Sequence, residues 1–385
     1  MRDVYITRVA AVLPNAPVDN DAMERILGQT GERPSRARAL VLRINGIRQR
    51  HYVFDPITGA RTHTNASLTA AAVRALEGGT GADAFRLAEL TCLVAGTSVA
   101  DQLLPNHAVM VHGELGSPTC EVVATSGICL SGVAALKYAW LAVRAGEHAR
   151  AVATGSETSS VGLRACQYAA ESDDRVAELE SRRELAFEKD FLRWMLSDAA
   201  GAVLVAVRPN SAAQSLRIDW IDLFSYAHEQ PACMYMGAEK DERGELLGWQ
   251  SFAQDELLRR SVLALKQDVK QLNAHVSQYC LERPLKEVMA RRGLRASDIT
   301  WFLPHMSSEF FRRPIREGLE ACGFPIPESR WFTNLATRGN TGSAAVYVAL
   351  EELFHSGRLA AGDRLLCMVP ESGRFSSGFM HLTVV

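Results

Sequence analysis

The sequence predicts an α/β fold built from two related units, and two observations support this prediction. Short β-branched or apolar runs alternate with longer helical patterns along the 385 residues. Two stretches, 129–146 and 340–357, share a pattern: both open among small residues, are rich in Ala and Val, and close on glycine. Strand–helix alternation is typical of buried sheets, and an internal repeat indicates a duplicated unit.

Apolar runs predict buried strands, and small-residue or amphipathic patterns that end at glycine predict helices. The predicted strands cover residues 90–99, 148–157, 199–208, 299–305 and 363–372, and a strand-like segment begins at 122. The predicted helices cover residues 67–79, 132–146, 285–293 and 342–357. The charge-dense stretch 171–193 predicts a solvated helix or a long loop.

The repeat predicts which residues of the two units come together. Aligning the closing glycines, Gly146 and Gly357, sets Cys129 opposite Asn340. A similar alignment of 88–98 with 297–307 sets His305 near the end of the strand predicted at 90–99. If the repeat is a duplication, the two central helices face each other with Cys129 and Asn340 side by side. We expect one half at 1–210 and the other at 211–385.

Composition excludes several classes of protein. Lys and Arg (42) nearly balance Asp and Glu (44), which argues against nucleic-acid binding. No run reaches the ~18 apolar residues of a membrane helix, and the first residues lack the core of a signal peptide. Eight scattered cysteines without a C-x-x-C pair predict free thiols in a cytoplasmic protein.

Cys129 is the candidate nucleophile. It lies where a predicted helix begins, and a helix N-terminus favours thiolate, so we expect a lowered thiol pKa. Gly127 and Gly132 are expected to clear space around the sulfur. A buried core cysteine is the alternative interpretation, just as His305 could be a structural histidine and Asn340 a helix cap. The three together are far more specific than any one of them.

Competing motifs are weak. The stretch GTGADA at 79–84 follows a predicted helix rather than a strand, which favours a turn over a dinucleotide site. The sequence contains no G-x-S-x-G and no H-E-x-x-H, so a serine hydrolase and a metal site are not expected, and it contains no phosphate-binding loop.

Four segments carry a family resemblance: TSGICLSGVAALKYA, WFLPHMSS, TRGNTGSAAVYVALEEL and ESGRFSSGFMHLTVV. They resemble the active-site segments of thiolase-fold condensing enzymes, in particular the β-ketoacyl-[acyl-carrier-protein] synthase III type. The resemblance implies duplicated βαβαβ halves in a five-layered α-β-α-β-α architecture, a homodimer, and a catalytic triad of Cys129, His305 and Asn340. It also implies an oxyanion hole formed by the N–H groups of Cys129 and Gly373.

The same resemblance implies the chemistry. Cys129 takes an acyl group from a thioester, and a malonyl- or β-ketoacyl-type carbanion then attacks it in a Claisen condensation. No cofactor is bound; the substrates travel on the phosphopantetheine of an acyl-carrier protein or on coenzyme A. The opening residues and the 33–48 segment further resemble a branch that forms dialkylresorcinols and cyclohexanediones.

Departures from the family pattern bear on the carrier. Leu40 stands where an aromatic residue often stacks on coenzyme A, which favours a carrier protein. Arg43, Arg48, Arg312 and Arg313 could contact an acidic carrier protein at the substrate entrance, and a solvated basic face is the alternative. Two other functions stay open: an acyltransferase to a hydroxyl or amine, and a non-catalytic partner subunit of a synthase.

Overall fold

The computed structural model describes residues 2–29, 38–168 and 192–385. The prediction for the charge-dense stretch 171–193 therefore falls almost wholly outside the described residues. No helix in the described ranges has both the length and the apolar composition needed to cross a bilayer.

The strands in chain order are β1 Tyr5–Val12, β2 Val18–Asp19, β3 Gln49–Arg50, β4 Cys92–Thr97, β5 Glu121–Ser126, β6 Arg150–Glu157, β7 Ala199–Ala206, β8 Leu216–Ser225, β9 Met234–Tyr235, β10 Ala238–Lys240, β11 Leu246–Gly248, β12 Lys266–Gln267, β13 Trp301–Pro304, β14 Arg364–Glu371 and β15 Ser376–Val384.

The helices are α1 Met23–Leu27, α2 Arg38–Asn45, α3 Asn65–Arg74, α4 His107–Leu115, α5 Ser131–Ala145, α6 Ser160–Leu163, α7 Gln254–Arg259, α8 Val269–Ser277, α9 Arg283–Arg292, α10 Arg312–Ala321, α11 Leu335–Arg338 and α12 Ala345–His355. A π-helical turn, Gln278–Glu282, joins α8 to α9.

One large sheet carries the fold, in the order β13-β14-β15-β8-β1-β7-β6-β4-β5. The five strands from β1 to β5 in that order come from the first half of the chain, and the other four come from the second half. The two halves share a plan. In the first half, β5 pairs parallel with β4. At the corresponding place in the second half, Phe302 of β13 forms a parallel bridge with Trp331. The sheet and its flanking helices confirm the predicted layered α/β class.

The predicted strands are all present, and the differences lie at helix ends and in antiparallel strands. The helix predicted over 67–79 ends at Arg74, since Gly78 and Gly79 adopt φ values of 139° and 77° that a helix cannot contain. Strands β8 and β15, which were not predicted, pair antiparallel over nearly their whole length.

The two central helices meet through glycines. A Cβ on Gly132 of α5 or on Gly155 of β6 would lie 2.3 Å from the carbonyl oxygen of Ser343, just before α12. The Tyr347 hydroxyl donates a hydrogen bond of 2.8 Å to the carbonyl of Gly132. The expectation that Gly132 clears space for the sulfur of Cys129 is therefore wrong, because this glycine allows α5 and α12 to approach.

Candidate active site

Cys129, His305 and Asn340 line one cavity of about 720 Å³, including its mouth. Cys129 follows β5, His305 follows β13 and Asn340 precedes α12, so all three lie in segments that connect the helices and strands. The rest of the lining is mostly apolar and includes Met195, Met234, Leu272, Val276, Leu281, Phe311 and Ile315. The cavity therefore joins the thiol of Cys129 to a space suited to an alkyl chain.

The turn that carries Cys129 is held by a carboxylate. The Glu371 Oε2 atom, at the end of β14, accepts hydrogen bonds from the N–H of Ile128 at 2.7 Å and the N–H of Leu130 at 2.9 Å. A Cβ on Gly127 would lie 3.4 Å from that same oxygen, so this glycine makes room for Glu371. The turn that carries Cys129, in the first half of the chain, is thus held by Glu371, in the second half.

The expected lowering of the Cys129 pKa is wrong. Burial raises the pKa of the Cys129 thiol well above its ordinary value, and the negative charges of Glu371 and Glu157 raise it further. The prediction considered only the helix terminus, whose N–H at Leu130 is already bound by Glu371. The surroundings of Cys129 therefore favour the thiol over the thiolate.

Asn340 is fixed so that its amide nitrogen is available. The Asn340 Oδ1 atom accepts a hydrogen bond of 3.0 Å from the N–H of Gly342, and the backbone N–H of Asn340 donates to the carbonyl of Met195 at 3.0 Å. Since the oxygen is engaged, the Nδ2 amide is the group that can donate to a ligand in the cavity.

His305 is buried beside this amide. Its backbone N–H donates to the carbonyl of Met368 at 2.8 Å, which fixes the residue at the end of β13. Burial lowers the pKa of His305 to about 4, so the imidazole is neutral at pH 7. A neutral ring can donate one hydrogen bond to an oxygen that gains negative charge.

The two N–H groups expected to bind an oxyanion are not taken up by other residues in the described part of the chain. The N–H of Cys129 points only to its own sulfur, and the N–H of Gly373 has no hydrogen-bond partner there. The carbonyl of Gly373 accepts hydrogen bonds from the N–H of Cys233 at 2.8 Å and of Met234 at 3.2 Å, which fixes the turn after β14. Their role as an oxyanion hole stays a prediction.

The four arginines predicted at the entrance lie in two settings. Arg43 and Arg48 are exposed, at the C-terminal end of α2 and just after it. Arg312 is held by Glu309 at 2.7 Å and Glu328 at 3.7 Å, and Arg313 lies 3.7 Å from Glu317. The first pair is therefore the more available to a partner, and none of the four lines the cavity.

Sequence reasoning missed three groups around Cys129, of which Glu157 and Cys280 are buried and Glu371 is partly buried. Glu371 was quoted within a family segment but received no role. Glu157, at the end of β6, accepts hydrogen bonds from the N–H of Ser98 and the N–H of Ser343, and burial raises its pKa to about 7. Cys280 lines the cavity from the π-helical turn. The one signal available in the sequence was that Glu157 and Glu371 are carboxylates at the ends of predicted buried strands.

A second group of polar side chains lies away from the cavity. Cys92, Glu121 and His148 stand at the amino-terminal end of β4, β5 and β6, with ligand atoms within 4.8 Å of one another. His148 Nε2 and Glu121 Oε2 are 2.6 Å apart and satisfy each other as a hydrogen-bonded pair. The hydrogen bond between His148 and Glu121 therefore explains this arrangement without a bound ion.

Comparison with known proteins gives consistent relatives. The C-terminal domain of 3-oxoacyl-[acyl-carrier-protein (ACP)] synthase III matches residues 289–378. A β-ketoacyl-[acyl-carrier-protein] synthase III of Xanthomonas campestris is 25% identical over 94% of this chain and 92% of its own length. The enzyme of that name from Rhizorhabdus wittichii is 24% identical over 98% of both chains.

Solved structures agree in fold. A variant of OleA from Xanthomonas campestris superposes with a TM-score of 0.73 at 20% identity, covering 99% of this chain and 98% of its own. The tetronic acid condensing enzyme AbyA1 superposes with a TM-score of 0.72 at 22% identity, covering 99% of both chains. The chain therefore has the fold of these solved structures. Its sequence is similar to those of β-ketoacyl-[acyl-carrier-protein] synthase III enzymes over more than nine-tenths of its length.

Proposed function

We propose that this protein is a ketosynthase in which Cys129 carries an acyl group and condenses it with a malonyl- or β-ketoacyl-type thioester. The observation that carries the proposal is the meeting of a thiol, a neutral imidazole and an oriented amide in one largely apolar cavity. Direct transfer to a hydroxyl or amine needs no such pair of neutral donors beside the nucleophile.

The residues divide the reaction into two steps. In the first, the sulfur of Cys129 attacks the acyl carbonyl; the carrier thiol leaves and takes up the proton of Cys129. In the second, a malonyl thioester loses CO₂, and His305 and Asn340 donate hydrogen bonds to the enolate oxygen. The enolate carbon attacks the acyl carbonyl, and Cys129 leaves and regains a proton.

The test is product analysis with a panel of acyl thioesters, offered with a malonyl or a β-ketoacyl thioester. A β-ketoacyl product released with one CO₂ per condensation supports the malonyl route. A cyclised product from the β-ketoacyl thioester supports the branch that forms rings. Acyl transfer to an alcohol or amine without carbon–carbon bond formation contradicts the proposal.

An acyl-carrier protein is the proposed substrate carrier. Helix α2 exposes Leu40 (44%) and Ile44 (40%) beside Arg43, which forms an apolar surface with a positive rim. The end of α2 packs against Glu309, because a Cβ on Gly46 would lie 2.5 Å from the Glu309 side chain. This surface therefore adjoins the cavity wall at Phe311.

Charge reversal at Arg43 or Arg48 should raise the KM for carrier-bound substrate and spare coenzyme A thioesters. A positive surface speeds encounter with an acidic partner, and salt screens it over ~8 Å at physiological ionic strength. The measurement is steady-state kinetics of Arg43→Glu and Arg48→Glu across salt concentrations. Arg208→Glu is the matched control. Arg208 is also an exposed arginine, but it follows β7, which pairs antiparallel with β6, and does not belong to the α2 surface. Equal efficiency with both carriers at every salt concentration contradicts the prediction.

A homodimer is the proposed assembly, formed along β5. This strand ends the large sheet and only partly buries its side chains, and a free sheet edge favours pairing with another strand. Leu103 and Leu104, in the loop after the neighbouring strand β4, are 77% and 85% exposed. Exposed leucines of this kind favour burial by a second copy.

Replacing Leu103 and Leu104 together by glutamate should yield a monomer, because the charges cannot be buried in an apolar interface. Light scattering after size exclusion measures the mass. Ile44→Glu, an exposed apolar residue of α2, should leave the dimer intact. A wild-type protein that is monomeric at micromolar concentration refutes the assembly.

A further inference from the structure

The charge of Glu371 is the feature that the proposed reaction does not explain. Its carboxylate accepts two backbone N–H groups, and in the described part of the chain no lysine or arginine pairs with it. Burial raises the pKa of Glu371, which shows that the charged form is disfavoured there. A glutamine carbonyl could accept the same N–H groups without burying a charge.

The two hydrogen bonds to Glu371 also determine which backbone N–H of the turn is left for a ligand. Ile128 and Leu130 donate to Glu371, and the N–H of Ser131 donates to the carbonyl of Ile128 at 3.3 Å. Of these consecutive residues, Cys129 alone has an N–H that no other described residue binds; it points to the residue's own sulfur. This is the group that an acyl oxyanion on Cys129 requires.

We infer that Glu371 is a positioning residue for the nucleophile, with two effects. By binding the N–H groups of Ile128 and Leu130, it holds the turn so that the N–H of Cys129 is left for the oxyanion. By its negative charge, it keeps Cys129 as a thiol in the resting enzyme. The inference rests on the proposed acylation of Cys129.

The surroundings of Cys129 make the second effect measurable. Among the described residues, it is faced by Glu371 of β14, Glu157 of β6, Cys280 of the π-helical turn and His305 after β13. His305 is neutral at pH 7, so no described cation offsets the carboxylates. A thiol held in this way reacts slowly with oxidants and alkylating agents, because thiolate is the reactive form.

The experiment measures the rate of Cys129 alkylation by iodoacetamide against pH, read by mass spectrometry of the Cys129 peptide so that Cys280 does not contribute. Glu371→Gln should move the pH midpoint down by about 1 or more, because a nearby like charge raises a thiol pKa by that order. Its amide oxygen can still accept both N–H groups, so the thermal midpoint should change little.

Glu371→Ala leaves both N–H groups without an acceptor, and single-turnover acylation should fall at least tenfold at every pH. Glu147→Gln is the matched control: Glu147 is exposed beyond the other end of α5, about 22 Å away, and neither readout should change. An unchanged alkylation midpoint in Glu371→Gln overturns the charge effect. An unchanged acylation rate in Glu371→Ala, or in Glu371→Asp if the alanine variant does not fold, overturns the positioning effect.

Alkylation needs no acyl substrate, so this test is separate from that of the proposed function. If the wild-type protein is never acylated on Cys129 while the alkylation midpoint still moves in Glu371→Gln, the ketosynthase proposal fails and the charge effect stands.

Discussion

Cys129→Ser should abolish acyl loading. The serine hydroxyl occupies the same turn but is a far weaker nucleophile without a strong adjacent base. The pKa of His305 is lowered to about 4, which makes the imidazole a weak base. Asn340 is oriented as a donor, and Glu371 is engaged with the backbone. Intact-mass spectrometry after incubation with an acyl thioester measures the loading directly.

Cys280→Ser is the matched control, because Cys280 is a second buried thiol that lines the same cavity. This variant should load one acyl group, as the wild type does. Loading that persists in Cys129→Ser and disappears in Cys280→Ser would transfer the nucleophile's role to the π-helical turn.

Asn340→Ala should still acylate itself yet lose condensation by roughly 10²–10³-fold, the usual cost of removing one donor to a developing oxyanion. The reason is that its amide nitrogen is free to donate while its oxygen is held by Gly342. Release of CO₂ from a malonyl thioester and acylation of Cys129, followed separately in one variant, measure the two steps.

Asn334→Ala controls for loss of an amide elsewhere in this region, since Asn334 binds the carbonyl of Val348 and Glu352 instead of facing Cys129. It should retain both half-reactions. Near wild-type condensation by Asn340→Ala would show that another group, not the Asn340 amide, donates to the enolate oxygen.

The sequence alone could predict the strand ends that carry the site. Cys129 and His305 each follow an apolar run, and the internal repeat related Cys129 to Asn340. These signals are local or periodic, and they depend little on how the halves pack. Strands β8 and β15 were harder to predict, because Ser377 and Gly378 interrupt the apolar pattern of β15.

The direction of the Cys129 pKa could not be predicted from the sequence. A helix terminus is visible in a local pattern, but burial and the charges of Glu157 and Glu371 depend on tertiary packing. The role of Gly132 in the approach of α5 and α12 could not be predicted for the same reason, because its neighbours Ser343 and Tyr347 come from the other half of the chain.

The bond between Ile128 and Glu371 also has a consequence for biosynthesis. At ~5–20 residues per second, the ribosome needs roughly 12–50 s to make the 243 residues that separate them. During that interval the nascent chain carries Cys129 on a turn without its carboxylate. The turn is therefore completed only after Glu371 has been made, and a chain that terminates before Glu371 leaves Cys129 without this carboxylate.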